Sequence, residues 1–535
     1  MNKNRKWHLI LLCAAAAVYF GWRVLYTVPT EDPAGLVIGT LVLLTEFTGF
    51  MELILHLWIS VHALPRRRKP ETKELPDVDV LVTACGEPLE ILEETLRACV
   101  GIDYPAQKKH IYVCDDGADD NLKALAETLG VGYLRREDRA GAKAGNLNAA
   151  LAVTDSPLVA VFDADMRPRP AFLNRTVPYM LGNFGKHGIR KLDDSVGFVQ
   201  TPQCFDEPDL FQRACGPDAG IPNEQDYFYF SIEPSRNRIN AVILAGTNML
   251  LSRKALEDTG GFRQDTLTED FATGIEIAKR GYRTIDLTDE LAVGKVPHDL
   301  PSLISQRRRW ARGCIASGMR TRFLGSKELD HKQKISYLLA ILYWYFPLKR
   351  VLYLLGPILY VVAGIPVVNG SFLGMALIWL PYYLISSYEI TSFSDRMRTP
   401  HLSRFYETCL TPFLFFPVLA ETVGIRGSVF AVTDKSRTGR WSFRYLIPFI
   451  AATALHLAAI IVIITKDAAY LYKSAFMIFW LIYNLFELLT ATAFILSCSS
   501  VPEQGNCPQG HRVGERYFLK INPVSILKNR LKNDV

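Results

Sequence analysis

Two apolar runs near the start, at about 7–28 and 34–63, and a second set after about 336 bracket a middle of quite different texture. Each is long enough to span a bilayer, so the polar middle must lie on one side of a membrane. The first run follows Lys3, Arg5 and Lys6 and lacks a small-residue cleavage site, so it reads as a retained helix rather than a signal peptide. The second ends in Arg66-Arg67-Arg68-Lys69, while Glu31 and Asp32 lie in the link between the two. Basic flanks outside and an acidic link inside predict a transmembrane hairpin over 1–65 with both ends in the cytosol.

After the middle, apolar runs at about 336–368, 372–391, 443–466 and 474–497 read as four more spans, within a transmembrane region 331–497. Lys349 and Arg350 interrupt the first, which predicts an interfacial helix bending into a span that begins near Val351. The segment 403–425 is apolar but carries Pro412 and Pro417, and predicts an amphipathic helix lying on the cytosolic face. The tail, 498–535, is polar and basic, hence expected in the cytosol. Hydrophobic residues make up 49% and charged ones 21%, which fits a soluble domain joined to membrane helices. The net charge of +6 is small for 535 residues, and Lys and Arg cluster beside apolar runs, which argues against nucleic acid. The ten cysteines show no C-x-x-C and no zinc spacing, so free thiols are expected.

Between 66 and 330, short β-rich runs such as Val78–Val82, Ile111–Val113 and Leu158–Phe162 alternate with polar helical stretches. That pattern predicts an α/β domain with a mostly parallel sheet, whose ligands bind beyond the carboxyl ends of the strands. Cys114-Asp115-Asp116-Gly117 ends one such strand; it suits nucleoside binding, or is an ordinary Asp-Gly turn. Asp163-Ala164-Asp165 ends another, and two carboxylates at i and i+2 can converge on Mg²⁺ or Mn²⁺. Lys143, between Gly141 and Gly145, offers a point charge for phosphate.

Thr268-Glu269-Asp270 offers a general base for a hydroxyl acceptor, or a plain helix start. In Gln306-Arg307-Arg308-Arg309-Trp310, Arg309 can clamp a departing diphosphate and Gln306 can hydrogen-bond. Trp310 presents an aromatic face for a sugar ring, while Arg307 and Arg308 read as membrane-flank charges.

Taken together in this order, these motifs resemble the processive family 2 inverting glycosyltransferases, most closely the bacterial cellulose synthase catalytic subunits. Phe430-Ala431-Val432-Thr433-Asp434-Lys435 is similar to the family's F-x-V-T-x-K gating loop, within 426–440. The resemblance implies a GT-A-type domain inserted between transmembrane helices, two before and about four after, in the inner membrane with the catalytic domain cytosolic. It implies Thr83, Glu87, Asp115, Asp116, Lys143, Asp163, Arg309, Phe430, Thr433 and Lys435 around UDP-glucose, and Asp163 with Asp165 around Mg²⁺ or Mn²⁺. Asp270 would be the base, flanked by Thr268 and Glu269, with Gln306 and Trp310 at the acceptor. The implied product is an exported β-glucan, β-1,4 in the first instance. A β-1,3 or mixed-linkage glucan, a hyaluronan- or chitin-type polymer, and a single-sugar membrane lipid are the alternatives. Membrane lipids and an accessory periplasmic or cell-surface subunit are the implied partners.

The chain departs from that family in three places. Thr83–Pro88 lacks the aromatic often found near uracil, and Ala245-Gly246-Thr247-Asn248 near the acceptor reads unlike a typical cellulose synthase. Arg512 and Arg516 fit R-x-x-x-R, but no D-x-S-x-x-G partner accompanies them, so no cyclic-di-GMP switch is expected.

Overall fold

The computed structural model describes residues 3–59, 75–184, 189–216, 220–394, 396–425, 441–466 and 468–499. The gating-loop residues Phe430, Thr433 and Lys435, the basic run Arg66–Lys69 and the R-x-x-x-R residues therefore lie outside the described residues.

The N-terminal hairpin forms as expected. Helix α1, Lys3–Trp22, continues through a π-helical turn, Arg23–Thr27, and α2 covers Pro33–Ile59. Asp32 closes the link by accepting a hydrogen bond from Gly35 N at 2.5 Å. The hairpin is fastened to the following domain at Trp58, whose ring lies 5.9 Å from the Arg238 guanidinium and 5.1 Å from Lys332 Nζ.

The domain is built on a seven-stranded sheet: β1 Val78–Ala84, β2 Lys109–Asp115, β3 Gly132–Arg135, β4 Leu158–Asp163, β5 Val196–Gln200, β6 Met249–Ser252 and β7 Arg283–Asp286. Their order across the sheet is β7-β5-β6-β4-β1-β2-β3, and only β6 runs antiparallel to its neighbours. Val78, Val80, Val82, Leu158, Ala160 and Phe162 are fully or almost fully buried in one core under the sheet. Helices cover both faces of central strands, so β1 and β4 are apolar almost without alternation, which made them legible as strands. Three helices matter for function: α3 Ala142–Leu151, α4 Glu269–Lys279 and α5 Leu300–Thr321.

Beyond α5 come α6 His331–Tyr343, α7 Phe346–Ala363, α8 Leu380–Phe393, α9 Pro400–Thr422, α10 Ile447–Ile464 and α11 Ala468–Ser497. Among the described residues five helices are long and apolar enough to cross a membrane: Trp7–Thr27, Pro33–Trp58, Phe346–Ala363, Phe443–Ile464 and Ser474–Ser497. A break separates α6 from α7, and the candidate span starts at Phe346 instead of near Val351. It can do so because Arg350 is buried and donates to Thr408 Oγ1 of α9 at 2.8 Å, away from lipid.

The span expected at 372–391 is helical from Phe372 to Phe393. Its tyrosines, serines and Glu389 keep it out of the five, and it packs on α1 through Tyr19 and Tyr382 (stacked, centroids 4.5 Å apart). Among the described residues, three of the five candidate spans therefore follow the domain. Helix α9, which covers the segment expected to lie on the cytosolic face, packs against α5, α7 and α11, with Leu402, Phe405, Cys409, Leu414 and Val418 completely buried. Their spacing of three to five residues makes the stripe that was read as amphipathic, and here protein covers it.

Candidate active site

The chain runs from β1 outward through β2 to β3, then returns to place β4 on the other side of β1. This switch opens a crevice at the carboxyl ends of β1 and β4, the place where such sheets bind ligands. Register pairs Thr83 with Asp163, and Ala84 with Asp115. Thr83 Oγ1 lies 3.5 Å from Asp163 Oδ1, and Glu87 accepts from Cys85 N at 2.6 Å to close the turn after β1. The β4 end is pinned from across the sheet: Asp163 N donates to Thr247 Oγ1 at 2.9 Å. Lys143, in the first turn of α3, forms an ion pair with Asp163 and donates to Gly246 O at 2.7 Å. Burial opposes its charge, but Asp163 and Glu269 outweigh burial and hold the ammonium above its ordinary pKa.

Of the two acids ending β2, only Asp116 lines the cavity, held by two 2.7 Å bonds from Arg136. Asp115 is buried behind it, accepting from Gly117 N at 2.6 Å, Asp119 N at 2.8 Å and Tyr133 OH at 2.7 Å. The structure thus brings Asp116 to the cavity, while Asp115 bonds the turn.

Asp270 stands across the crevice at the N-terminal end of α4, where its Oδ1 accepts from Phe271 N at 2.7 Å. Gly246, at φ +85°, passes so close that a Cβ there would strike the Asp270 carboxylate. Burial and the neighbouring Glu269 push the Asp270 carboxyl up to about 7, against the pull of Lys143 and Arg309. Thr268 lines the same cavity, and its hydroxyl lies 3.0 Å from Ser317 Oγ and fastens α4 to α5.

Helix α5 carries the last motif. Gln306, Arg309 and Trp310 all line the same cavity, and the indole meets Trp344 edge-to-face at 6.5 Å. Sequence reasoning missed Arg307: it is not a membrane flank but 4% exposed, bonded to Glu224 Oε2 at 2.5 Å and stacked 4.3 Å from the Trp310 ring centre. Arg308 is exposed.

One cavity of about 970 Å³ joins these groups. Its lining includes Thr83, Glu87, Asp116 and Asp165, then Glu269 and Asp270, Gln306 and Trp310, and also Tyr343, Arg398 and the α2 residues Glu52 and His56. No cluster of three or more His, Cys, Asp or Glu side chains suited to a metal occurs among the described residues. The donor set Asp163 and Asp165 nevertheless fits Mg²⁺, which is commonly held by one or two carboxylates and completed by substrate phosphates.

A mostly parallel sheet gathering acids at its switch point, with a carboxyl poised opposite and membrane helices on either side, is a GT-A-like transferase architecture. Residues 76–313 match the family described as "Glycosyltransferase like family 2", and the chain carries a glycosyltransferase family 2 domain. It is 31% identical over 497 residues to the "Cellulose synthase catalytic subunit [UDP-forming]" of Pseudomonas fluorescens (strain SBW25), covering 91% of this chain and 66% of that protein. Identity is 29% to the "Cellulose synthase 1 catalytic subunit [UDP-forming]" of Komagataeibacter xylinus, over 81% of this chain and 58% of that one. The chain thus spans no more than about two thirds of these relatives' own length. Among solved structures, a mannosyltransferase from Pyrobaculum calidifontis in complex with GDP-Man and Mn²⁺ aligns at a TM-score of 0.49 and 19% identity, covering 78% of this chain and 100% of that chain.

Proposed function

We propose that the protein is a processive, inverting synthase that transfers glucose from UDP-glucose to a growing β-glucan, most simply β-1,4-linked, and passes the product between its own membrane helices. The observation that carries this reading is the single cavity joining the nucleotide end, Asp270, Trp310 and a membrane-helix wall at Glu52 and His56. The relatives' name, a UDP-forming cellulose synthase catalytic subunit, supports it.

In this reading Thr83, Glu87 and Asp116 surround the uridine, and Lys143 with Arg309 hold the diphosphate. Asp163 and Asp165 would hold Mg²⁺ or Mn²⁺, which supplies neutralising charge for that diphosphate. The acceptor's terminal sugar rests against Trp310 and Gln306. Asp270 removes its hydroxyl proton as the oxygen attacks the anomeric carbon, the bond to UDP breaks, and one displacement inverts the centre. Burial and then Glu269 keep the Asp270 carboxyl basic enough for this, and Thr268 fixes the helix that bears it. Phe430, Thr433 and Lys435 serve as the donor gate. The lengthened product stays in a cavity that leads toward the helices, so repeated addition needs no release. The catalytic domain and both termini face the cytosol from the inner membrane, among membrane lipids and beside an accessory subunit.

Purified protein in liposomes, supplied with single UDP-sugars and Mg²⁺ or Mn²⁺, tests this. UDP-glucose alone should yield a polymer whose linkage analysis shows 4-linked glucose. A 3-linked polymer would replace the linkage, another sugar would replace the donor, and a single-sugar lipid would end the processive reading.

A further inference from the structure

Arg307 has surroundings that neither membrane anchoring nor diphosphate binding explains. It is buried within an arginine run, and only its Nη2 finds a side-chain partner, Glu224 at 2.5 Å. Glu224 is itself fixed, because its N–H donates to Asp209 Oδ2 at 2.8 Å and Asp209 caps the helix Leu210–Cys215. The remaining Arg307 nitrogens, Nε and Nη1, are buried and have no hydrogen-bond partner among the described residues, while the guanidinium centre sits 4.3 Å from the Trp310 ring. A buried ion pair with orphaned donors weakens a fold relative to apolar groups of similar size, so stability does not account for it.

We infer that Arg307, clamped by Glu224, is a positioning residue for the acceptor: it covers one face of Trp310 and fixes the indole so that only the opposite face is offered to a neutral sugar ring. Trp344 meets the same indole edge-to-face at 6.5 Å and closes a second direction. A guanidinium suits this task because it is planar and weakly hydrated, and it stacks on an aromatic face as a lysine ammonium does not. The inference rests on Trp310 as the acceptor platform, and it extends that reading to a pair far apart in sequence.

The test compares Arg307→Met/Glu224→Gln, Arg307→Lys and wild type in liposomes with UDP-glucose and Mg²⁺. Three quantities are read: melting temperature, affinity for UDP, and the ratio of glucosyl transfer to UDP-glucose hydrolysis. The double variant should melt at or above the wild-type temperature and bind UDP unchanged, while its transfer-to-hydrolysis ratio falls about tenfold, a loss of 1.4 kcal/mol. Arg307→Lys keeps the charge opposite Glu224 and should fall similarly. A wild-type ratio in the double variant, or its rescue by lysine, overturns the inference. If wild type adds only one sugar to a lipid, the processive reading falls, and the same ratio still decides the role of Arg307.

Discussion

At the scale of single residues, chemistry depends on how Asp270 is kept both buried and usable. Burial and Glu269 raise its carboxyl to about 7, near the pH at which a base is most effective. As the proposed base, Asp270 would act as its carboxylate, whose fraction shrinks as pH falls. The kcat/KM for transfer should therefore drop about tenfold per pH unit below about 7 and level off above it; a profile flat down to pH 5.5 would remove Asp270 as the base. Asp270→Asn should lower kcat by about 10² to 10⁴-fold while UDP affinity holds, since the base acts in the chemical step alone. Weakened UDP binding with normal turnover would contradict that. Of these residues, the acid pairs were legible because each ends an apolar run. Which of Asp115 and Asp116 faces the cavity was not, since it depends on hydrogen bonds to Tyr133 and Arg136. Arg307 could not be found either, because its partner lies 83 residues away and an arginine run beside a membrane has an ordinary explanation.

At the scale of elements, the base is only as well placed as the contact between α4 and α5. That contact is close because Gly313 has no side chain: a Cβ there would come within 2.5 Å of Thr268 Cγ2 and 2.9 Å of Thr268 N. Gly313→Ala should push the start of α4 away, destabilising the domain by about 1–3 kcal/mol. It should also cut kcat at least tenfold with UDP affinity kept, as measured by thermal unfolding and steady-state kinetics. Unchanged turnover would show that the placement of α4 does not matter. The parallel strands announced themselves as continuous apolar runs, and the membrane hairpin as length with flanking charge. An apolar stripe such as that of α9 does not say whether lipid or protein covers it; here α5, α7 and α11 do. The segment at 372–391 shows the reverse case, where an apolar run seasoned with tyrosines, serines and Glu389 packs against α1.

At the scale of the whole molecule, the account rests on continuity between chemistry and membrane. The cavity that takes in the acids after β2 and β4 is also lined by Glu52 and His56 of α2, so on the proposed function a product extended at Asp270 would have the helices as its onward direction. The most direct measurement uses sealed liposomes with radiolabelled UDP-glucose added outside, where only outward-facing catalytic domains can use it. The account predicts a labelled polymer that resists added endo-β-1,4-glucanase until detergent opens the vesicles. A polymer digested without detergent, or label confined to a single-sugar lipid, would contradict coupled synthesis and export.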